Sequence, residues 1–262
     1  MHTDYRCDNF PITLYGEKLP CFYFDKIDST NEEAKRFLAQ GGGRQALFIA
    51  GSQTAGKGRR GRSFYSPEGE GIYMSLVFCT KEELSDVIFV TTAASVFVAR
   101  ALEEVIHEPV AIKWVNDLYL KGRKVCGILT EAVLPTSQCP ETGVIVGIGI
   151  NVSTDSFPEE LKAVAGSLGI RNNAKEIKQQ LIEEITRSLI DFIENVKDRS
   201  CLEEYKKRSM VIGQSITCSD GAGSYEATAL DIDVNGGLIV ERKDGERKVL
   251  HTGEITIRLC ES

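Results

Sequence analysis

The feature that limits the fold most is a single change of pattern near Met210. Before it, apolar residues recur at helical spacing in some stretches and at strand spacing in others. After it, the chain breaks into short alternating segments, 216–218, 225–233, 238–241, 248–251 and 255–258. These are divided by Asp220-Gly221, Asn235-Gly236-Gly237 and Asp244-Gly245. Asn-Gly and Asp-Gly pairs accept the positive φ angles of tight hairpins. Five short strands in so short a stretch suggest a small closed barrel. The expected organisation is two units, 1–209 and 210–262, which suits a chain of 262 residues.

In the first unit, Ser29-Thr30-Asn31-Glu32-Glu33 reads as a helix start with a capping box, ended by Gly41–Gly43. Segments 47–50 and 72–78 read as strands. Residues 86 to 107 carry Val90, Ala94, Phe97, Val98, Ala101 and Leu102 at helical spacing, so a buried helix is expected. Strands are expected at 110–114, 124–133 and 144–152, and helices at 159–168 and 175–198. Strands and helices in this order give an α+β unit.

Composition excludes several classes. With 42% hydrophobic and 26% charged residues the chain is neither fibrous nor wholly disordered. A net charge of -7 argues against a nucleic-acid-coating surface, and acidic residues outnumber basic ones in 210–262 as well. No segment has the length of a membrane span, and the N-terminus does not read as a secretory signal. The eight cysteines contain no C-x-x-C pair and read as reduced thiols of a cytoplasmic protein. His2, His107 and His251 are scattered, so no metal site is expected.

Against this acidic background, Lys57, Arg59, Arg60 and Arg62 crowd together with Gly56, Gly58 and Gly61. Gly51 to Lys57 fits the spacing of a phosphate-binding P-loop, but Gly58 stands where a magnesium-binding hydroxyl belongs. Gly56, Gly58 and Gly61 fit the dinucleotide fingerprint G-x-G-x-x-G. Both motifs need a helix next, and Pro67, Gly69 and Gly71 deny it. What remains is a cationic glycine loop between strands. Glycine costs order, by ~0.5–1 kcal/mol relative to alanine. Backbone N–H groups and guanidinium forks that close on a small anion supply a reason for it.

Two further clusters stand out. Lys113-Trp114-Val115-Asn116-Asp117 puts a cation, an amide and an acid at a strand end. Asp117 can hold Lys113 or a magnesium ion, and Trp114 reads as core packing. A turn at 120–123 brings Lys124 towards Lys113, a pair that reads first as solvated charge. Gly147-Ile148-Gly149-Ile150-Asn151 closes an apolar strand. Its glycines mark either the approach of a ligand or tight packing against a helix.

Taken in this order, the clusters resemble the biotin–protein ligases. That family's signatures are a Ser-Thr-Asn helix start, a G-R-G-R-R-G-R loop, a K-W-P-N-D segment before a basic turn, and a G-I-G-I-N strand. The corresponding residues are Ser29-Thr30-Asn31, the loop from Gly56 to Arg62, Lys113 to Asp117, Arg123-Lys124, and Gly147 to Asn151, a span of residues 25 to 152. Lys57 replaces the first arginine of the loop, Val115 replaces proline, and Phe64 stands where bacterial relatives often have tryptophan.

The resemblance implies a class II synthetase-like mixed sheet flanked by helices, followed by an SH3-like barrel. It implies that biotin and MgATP give biotinyl-5′-adenylate, from which biotin passes to a lysine of a biotin carboxyl carrier protein. Lipoate–protein ligase, with the same adenylation logic, is the alternative. By resemblance, Ser29, Thr30, Asn31, Gln53, Lys57, Gly58, Arg59 and Lys124 bind biotin. Arg59, Arg60, Phe64, Lys113, Asn116, Gly149 and Asn151 face the nucleotide, and Arg59, Lys113, Lys124 and Asp117 act in catalysis. Only 28 residues precede Ser29, so no DNA-binding domain and no repressor activity are expected. Neither nucleic acid nor membrane is expected as a partner, and monomer and homodimer both stay open.

Overall fold

Alternation along two central strands decides where everything else packs. The computed structural model describes residues 13–14, 17–82, 84–137, 140–220, 223–251 and 254–257. Its strands are β1 (Thr13–Leu14), β2 (Glu17–Lys18), β3 (Cys21–Phe24), β4 (Gln45–Ala50), β5 (Gly71–Thr80), β6 (Ala111–Lys113), β7 (Asp117–Leu120), β8 (Arg123–Val133) and β9 (Thr142–Asn151). They continue with β10 (Ser215–Asp220), β11 (Gly223–Ile232), β12 (Leu238–Arg242), β13 (Arg247–Leu250) and β14 (Glu254–Ile257). The helices are α1 (Thr30–Ala39), α2 (Leu84–Ile106), α3 (Ala174–Ile193) and α4 (Leu202–Arg208).

Strands β3 to β9 form one seven-stranded sheet in the order β3-β4-β5-β9-β8-β7-β6. The β3–β4 pair is parallel and the others are antiparallel. On β5 and β9, Ile72, Met74, Leu76, Phe78, Val144, Val146, Ile148 and Ile150 enter the large core with residues of α2 and α3. The intervening residues point to the other face, as the period of two requires. There Val77 and Ile145 join Ala34, Phe37 and Leu38 of α1 in a second, smaller core. Helix α1 covers only part of that face. The rest, carrying Gly147, Gly149 and Asn151, stays open for a cavity.

A separate five-stranded antiparallel sheet has the order β13-β12-β11-β10-β14. Its inward residues Ile216, Ala229, Leu238 and Val240 belong to the same continuous core as α2 and α4. Met210 N–H donates to Ile112 O at 3.0 Å, and the buried Trp114 Nε1 donates to Gly236 O at 2.9 Å. The Asn235-Gly236 turn is thereby seated on the Trp114 segment. Among the described residues no helix is long and apolar enough to cross a membrane.

Several expectations change. Residues 159–168 do not form a helix. Two successive turns close on Pro158 O, from Leu161 N–H, and on Leu161 O, from Ala165 N–H, both at 2.8 Å. Lys124 N–H then takes Val164 O and Gly166 N–H takes Lys124 O, each at 2.9 Å, so pairing with β8 ends the helical bonding there. The expected capping box is absent: Ser29 is the N-cap by position but makes no side-chain cap bond, and Glu33 instead accepts from Arg36. Helix α3 ends at Ile193. Strands β3 and β7 and helix α4 were not anticipated, being too short to show a period. Gly221 of the expected Asp220-Gly221 turn, Arg258, His2, Cys7, Cys139 and Cys260 lie outside the described residues. Cys21, Cys79, Cys126, Cys201 and Cys218 are free thiols.

Candidate active site

A cavity of about 340 Å³ opens on the sheet face that α1 leaves bare. Every residue singled out from the sequence as a site residue lines it: Ser29, Thr30, Asn31, Gln53, Lys57, Gly58, Arg59, Arg60, Phe64, Lys113, Asn116, Asp117, Lys124, Gly149 and Asn151. Two alternate glycines of β9 make the room. A Cβ on Gly147 would lie 2.0 Å from Asn31 Oδ1, and one on Gly149 would lie 2.4 Å from the Phe64 ring. The glycines therefore admit protein side chains onto the sheet surface while still lining the cavity.

One end of the cavity is polar and uncharged. Gln53 Oε1 accepts the first N–H of α1, from Thr30, at 2.9 Å, so a side chain from outside the helix does the work of the missing cap. Gln53 Nε2 donates to Ser66 Oγ at 2.9 Å. Gly56 allows this packing, since a Cβ there would lie 2.5 Å from Phe64 O. The buried Ser75 lies 2.7 Å from Thr30 Oγ1 and donates to Asn31 Oδ1 at 2.6 Å. Asn31 Nδ2 donates to Glu131 Oε2 at 2.8 Å and to Leu129 O at 3.3 Å. The Asn31 amide is thus engaged by protein on both sides.

The other end is cationic. The 56–64 segment folds back on itself: Gly58 N–H donates to Arg62 O and Phe64 N–H to Gly56 O, both at 2.8 Å. Its tip is a single 3₁₀ turn, Arg59–Gly61, with Arg60 in the left-handed region at φ 55° and Gly61 at 75°. Arg59 reaches Asn116 Oδ1 at 3.3 Å, and Asn116 Nδ2 is fixed on Ile128 O at 2.6 Å. Arg60 donates to Ser219 O of the C-terminal sheet at 3.3 Å. Lys57 pairs with Glu32 of α1 at 2.6 Å, and the hydrogen bonds from Lys35 and Lys57 hold the Glu32 carboxyl below its ordinary range.

The Asp117 carboxylate pairs with Lys124 at 2.6 Å, two strands of a hairpin bringing them together. Lys124 is therefore an ion-pair partner rather than a solvated charge. Lys113 sits 6.0 Å above the Tyr119 ring. Cys126 lies behind this pair, and burial pushes its thiol well above the ordinary range, so it stays neutral. Asn151 Nδ2 donates to Gly166 O at 2.9 Å, tying the 157–165 segment over the cavity.

Sequence reasoning missed Ser75, which sits inside an apolar strand with no local mark. It also missed Glu131, and the lining residues Phe157, Leu161 and Val164. Ile255 and Thr256 reach the cavity from the C-terminal sheet.

The mixed sheet thus carries one cavity with a neutral polar end and a cationic end. Residues 23–151 match the Biotin/lipoate A/B protein ligase family, and residues 211–258 match the Biotin protein ligase C terminal domain. The chain belongs to that ligase family, and its C-terminal match places it among the biotin protein ligases. It is 33% identical over 238 residues to the bifunctional ligase/repressor BirA of Bacillus spizizenii, covering 87% of this chain and 71% of that protein. It is 30% identical over 241 residues to the biotin--[acetyl-CoA-carboxylase] ligase of Paracoccus denitrificans, covering 88% and 97%. A solved biotin protein ligase of Aquifex aeolicus, in complex with biotin and ATP, aligns with a TM-score of 0.71 at 27% identity, covering 91% of this chain and 98% of that one.

Proposed function

We propose that this enzyme activates biotin with ATP to biotinyl-5′-adenylate and transfers the biotin to a lysine of a biotin carboxyl carrier protein of the acetyl-CoA carboxylase type. The observation that carries the reading is the joining of the neutral hydrogen-bonding end at Thr30 and Gln53 to the cations Arg59, Lys113 and Lys124 in one cavity. A cyclic urea suits the first end, and a carboxylate meeting a phosphate suits the second.

A carboxylate does not acylate an amine directly, because oxide is a poor leaving group. In the first step a biotin carboxylate oxygen forms a bond to the α-phosphorus, the bond to the β-phosphate bridge breaks, and pyrophosphate leaves. Negative charge gathers at the α-phosphorus, where cations positioned beforehand lower the barrier. Lys124, fixed by Asp117, and the backbone of residues 57–59 hold the carboxylate. Arg59, Arg60, Phe64, Lys113, Asn116, Gly149 and Asn151 face the nucleotide. Magnesium would enter with ATP and neutralise phosphate charge, and Asp117 is the side chain that could hold it.

In the second step the amine of the carrier lysine attacks the acyl carbon, a C–N bond forms, the acyl–phosphate bond breaks, and AMP leaves. Asp117 orients the incoming amine. The loop carrying Arg59 shields the mixed anhydride from water until then. The division of labour is a catalytic unit, 1–209, and a barrel, 210–262, with the protein acting in the cytoplasm on a protein partner and not on nucleic acid. Transfer of radiolabelled biotin to an apo carrier domain with MgATP, and biotin-dependent ATP–pyrophosphate exchange with lipoate as control, test this. Exchange driven by lipoate alone, or no exchange at all, overturns it.

A further inference from the structure

We infer that Glu131, a residue outside the cavity wall, is a positioning residue that sets the hydrogen-bond polarity of the ring-binding end. The inference rests on the reading above that this end receives the cyclic urea of biotin. The argument is proton bookkeeping. Glu131 Oε2 and Leu129 O carry no proton, so only the NH₂ of Asn31 can face them, at 2.8 and 3.3 Å. Asn31 Oδ1 is thereby turned towards Ser75 and takes that hydroxyl's single proton at 2.6 Å. The 2.7 Å contact between Ser75 Oγ and Thr30 Oγ1 then needs a proton from Thr30. Gln53 Oε1, which accepts the Thr30 N–H at 2.9 Å, lies 3.2 Å from Thr30 Oγ1 and is the longer alternative for the same proton, so the Thr30 hydroxyl is spent inside the protein in either case.

The consequence falls on Thr30, which lines the cavity. With its proton directed into the protein, Thr30 Oγ1 presents lone pairs to the ligand. That end of the site is an acceptor for a ring N–H, which a cyclic urea supplies and a dithiolane does not. Lys35 keeps the arrangement one-handed. It pairs with Glu131 Oε1 at 2.8 Å, so the carboxylate is gripped on one oxygen by a cation and offers the other to Asn31. Ser75 is fully buried, and Asn31 packs directly on Gly147, so its amide can exchange oxygen and nitrogen in place but cannot move off the sheet.

Glu131→Gln reverses the polarity without changing the shape. The new amide satisfies Lys35 with its oxygen, so its NH₂ faces Asn31 and forces that side chain to flip. Ser75 then gives its proton to Thr30, which loses acceptor capacity towards the ligand. In pyrophosphate exchange, KM for biotin is expected to rise roughly ten-fold, the scale of one neutral hydrogen bond, with KM for ATP and kcat little changed. Glu131→Asp, which keeps a carboxylate, recovers most of the loss. In a Ser75→Ala background, where the relay is cut, Glu131→Gln adds nothing further.

An unchanged biotin KM in a folded Glu131→Gln enzyme overturns the inference. So does an effect that persists in full without Ser75, or one that falls equally on ATP. Where Glu131→Gln does not fold, Ser75→Ala alone reads the relay, and an unchanged biotin KM again overturns it. A wild-type enzyme without biotin-dependent exchange defeats the functional reading itself, and that result is distinct from a variant that behaves like an active wild type.

Discussion

Replacing Gly147 by alanine puts a methyl group where Asn31 Oδ1 already lies, 2.0 Å from the ideal Cβ position. Asn31 has nowhere to go, because Ser75, Glu131 and Leu129 hold it. Displacement forfeits a charge-assisted bond worth about 2 kcal/mol and a neutral one worth about 1 kcal/mol, so a total of about 3 kcal/mol is expected. At roughly 2–4 °C per kcal/mol for a chain of this size, the melting temperature should fall by about 6–12 °C. Gly127→Ala is the matched control on the same face. Its Cβ would lie 3.3–3.4 Å from Lys124 and the Phe64 ring, side-chain ends that yield. It should melt within about 3 °C of wild type. Calorimetry on both variants, and on each combined with Asn31→Ala, separates the clash from a general intolerance of bulk. Equal melting temperatures for the two glycine variants, or a full Gly147→Ala cost without Asn31, would refute the reasoning.

Other expectations follow from single contacts. Arg59→Gly should open the loop and release the adenylate, seen as biotin on bystander proteins; normal carrier specificity in that variant removes the shielding role. Trp114→Phe deletes the buried donor to Gly236 O and should cost about 1–2 kcal/mol, with faster proteolysis of the C-terminal sheet as the readout. Glu204 of α4 pairs with Arg100 of α2 and with Arg208 one turn along its own helix, and the hydrogen bond from Arg100 holds its carboxyl below the ordinary range. Because the folded value is depressed, this stabilisation is present above about pH 4.3 and is lost as pH falls through the lower folded value. Glu204→Gln should therefore be less stable than wild type at neutral pH, and the gap should close in acid; a gap independent of pH contradicts the assignment.

The site was legible in the sequence where chemistry is concentrated in short runs. The loop from Gly56 to Arg62, the segment from Lys113 to Asp117 and the strand from Gly147 to Asn151 each keep their functional groups within a few residues, and all three meet in one cavity. Ser75 and Glu131 were not legible. Their partners in the relay lie 44 residues and 100 residues away in the chain. Nothing in their own neighbourhoods distinguishes them from other polar residues on a strand. The expected helix at 159–168 failed for a related reason: its backbone groups found strand partners at Lys124 that no local propensity encodes.

Sequence alone determined the element types of the long periodic segments, the two-part division of pattern near Met210, and the residues that carry charge to the site. It did so because hydrophobic period and glycine placement act over a few residues. Tertiary structure decided which carboxylate holds which cation, that the β9 glycines receive Asn31 and Phe64, and which way the protons run from Glu131 to Thr30. The Asp117–Lys124 pair depends on the register of one hairpin, the others join elements far apart in the chain, and all their energies depend on distances that exist only once the sheet has closed.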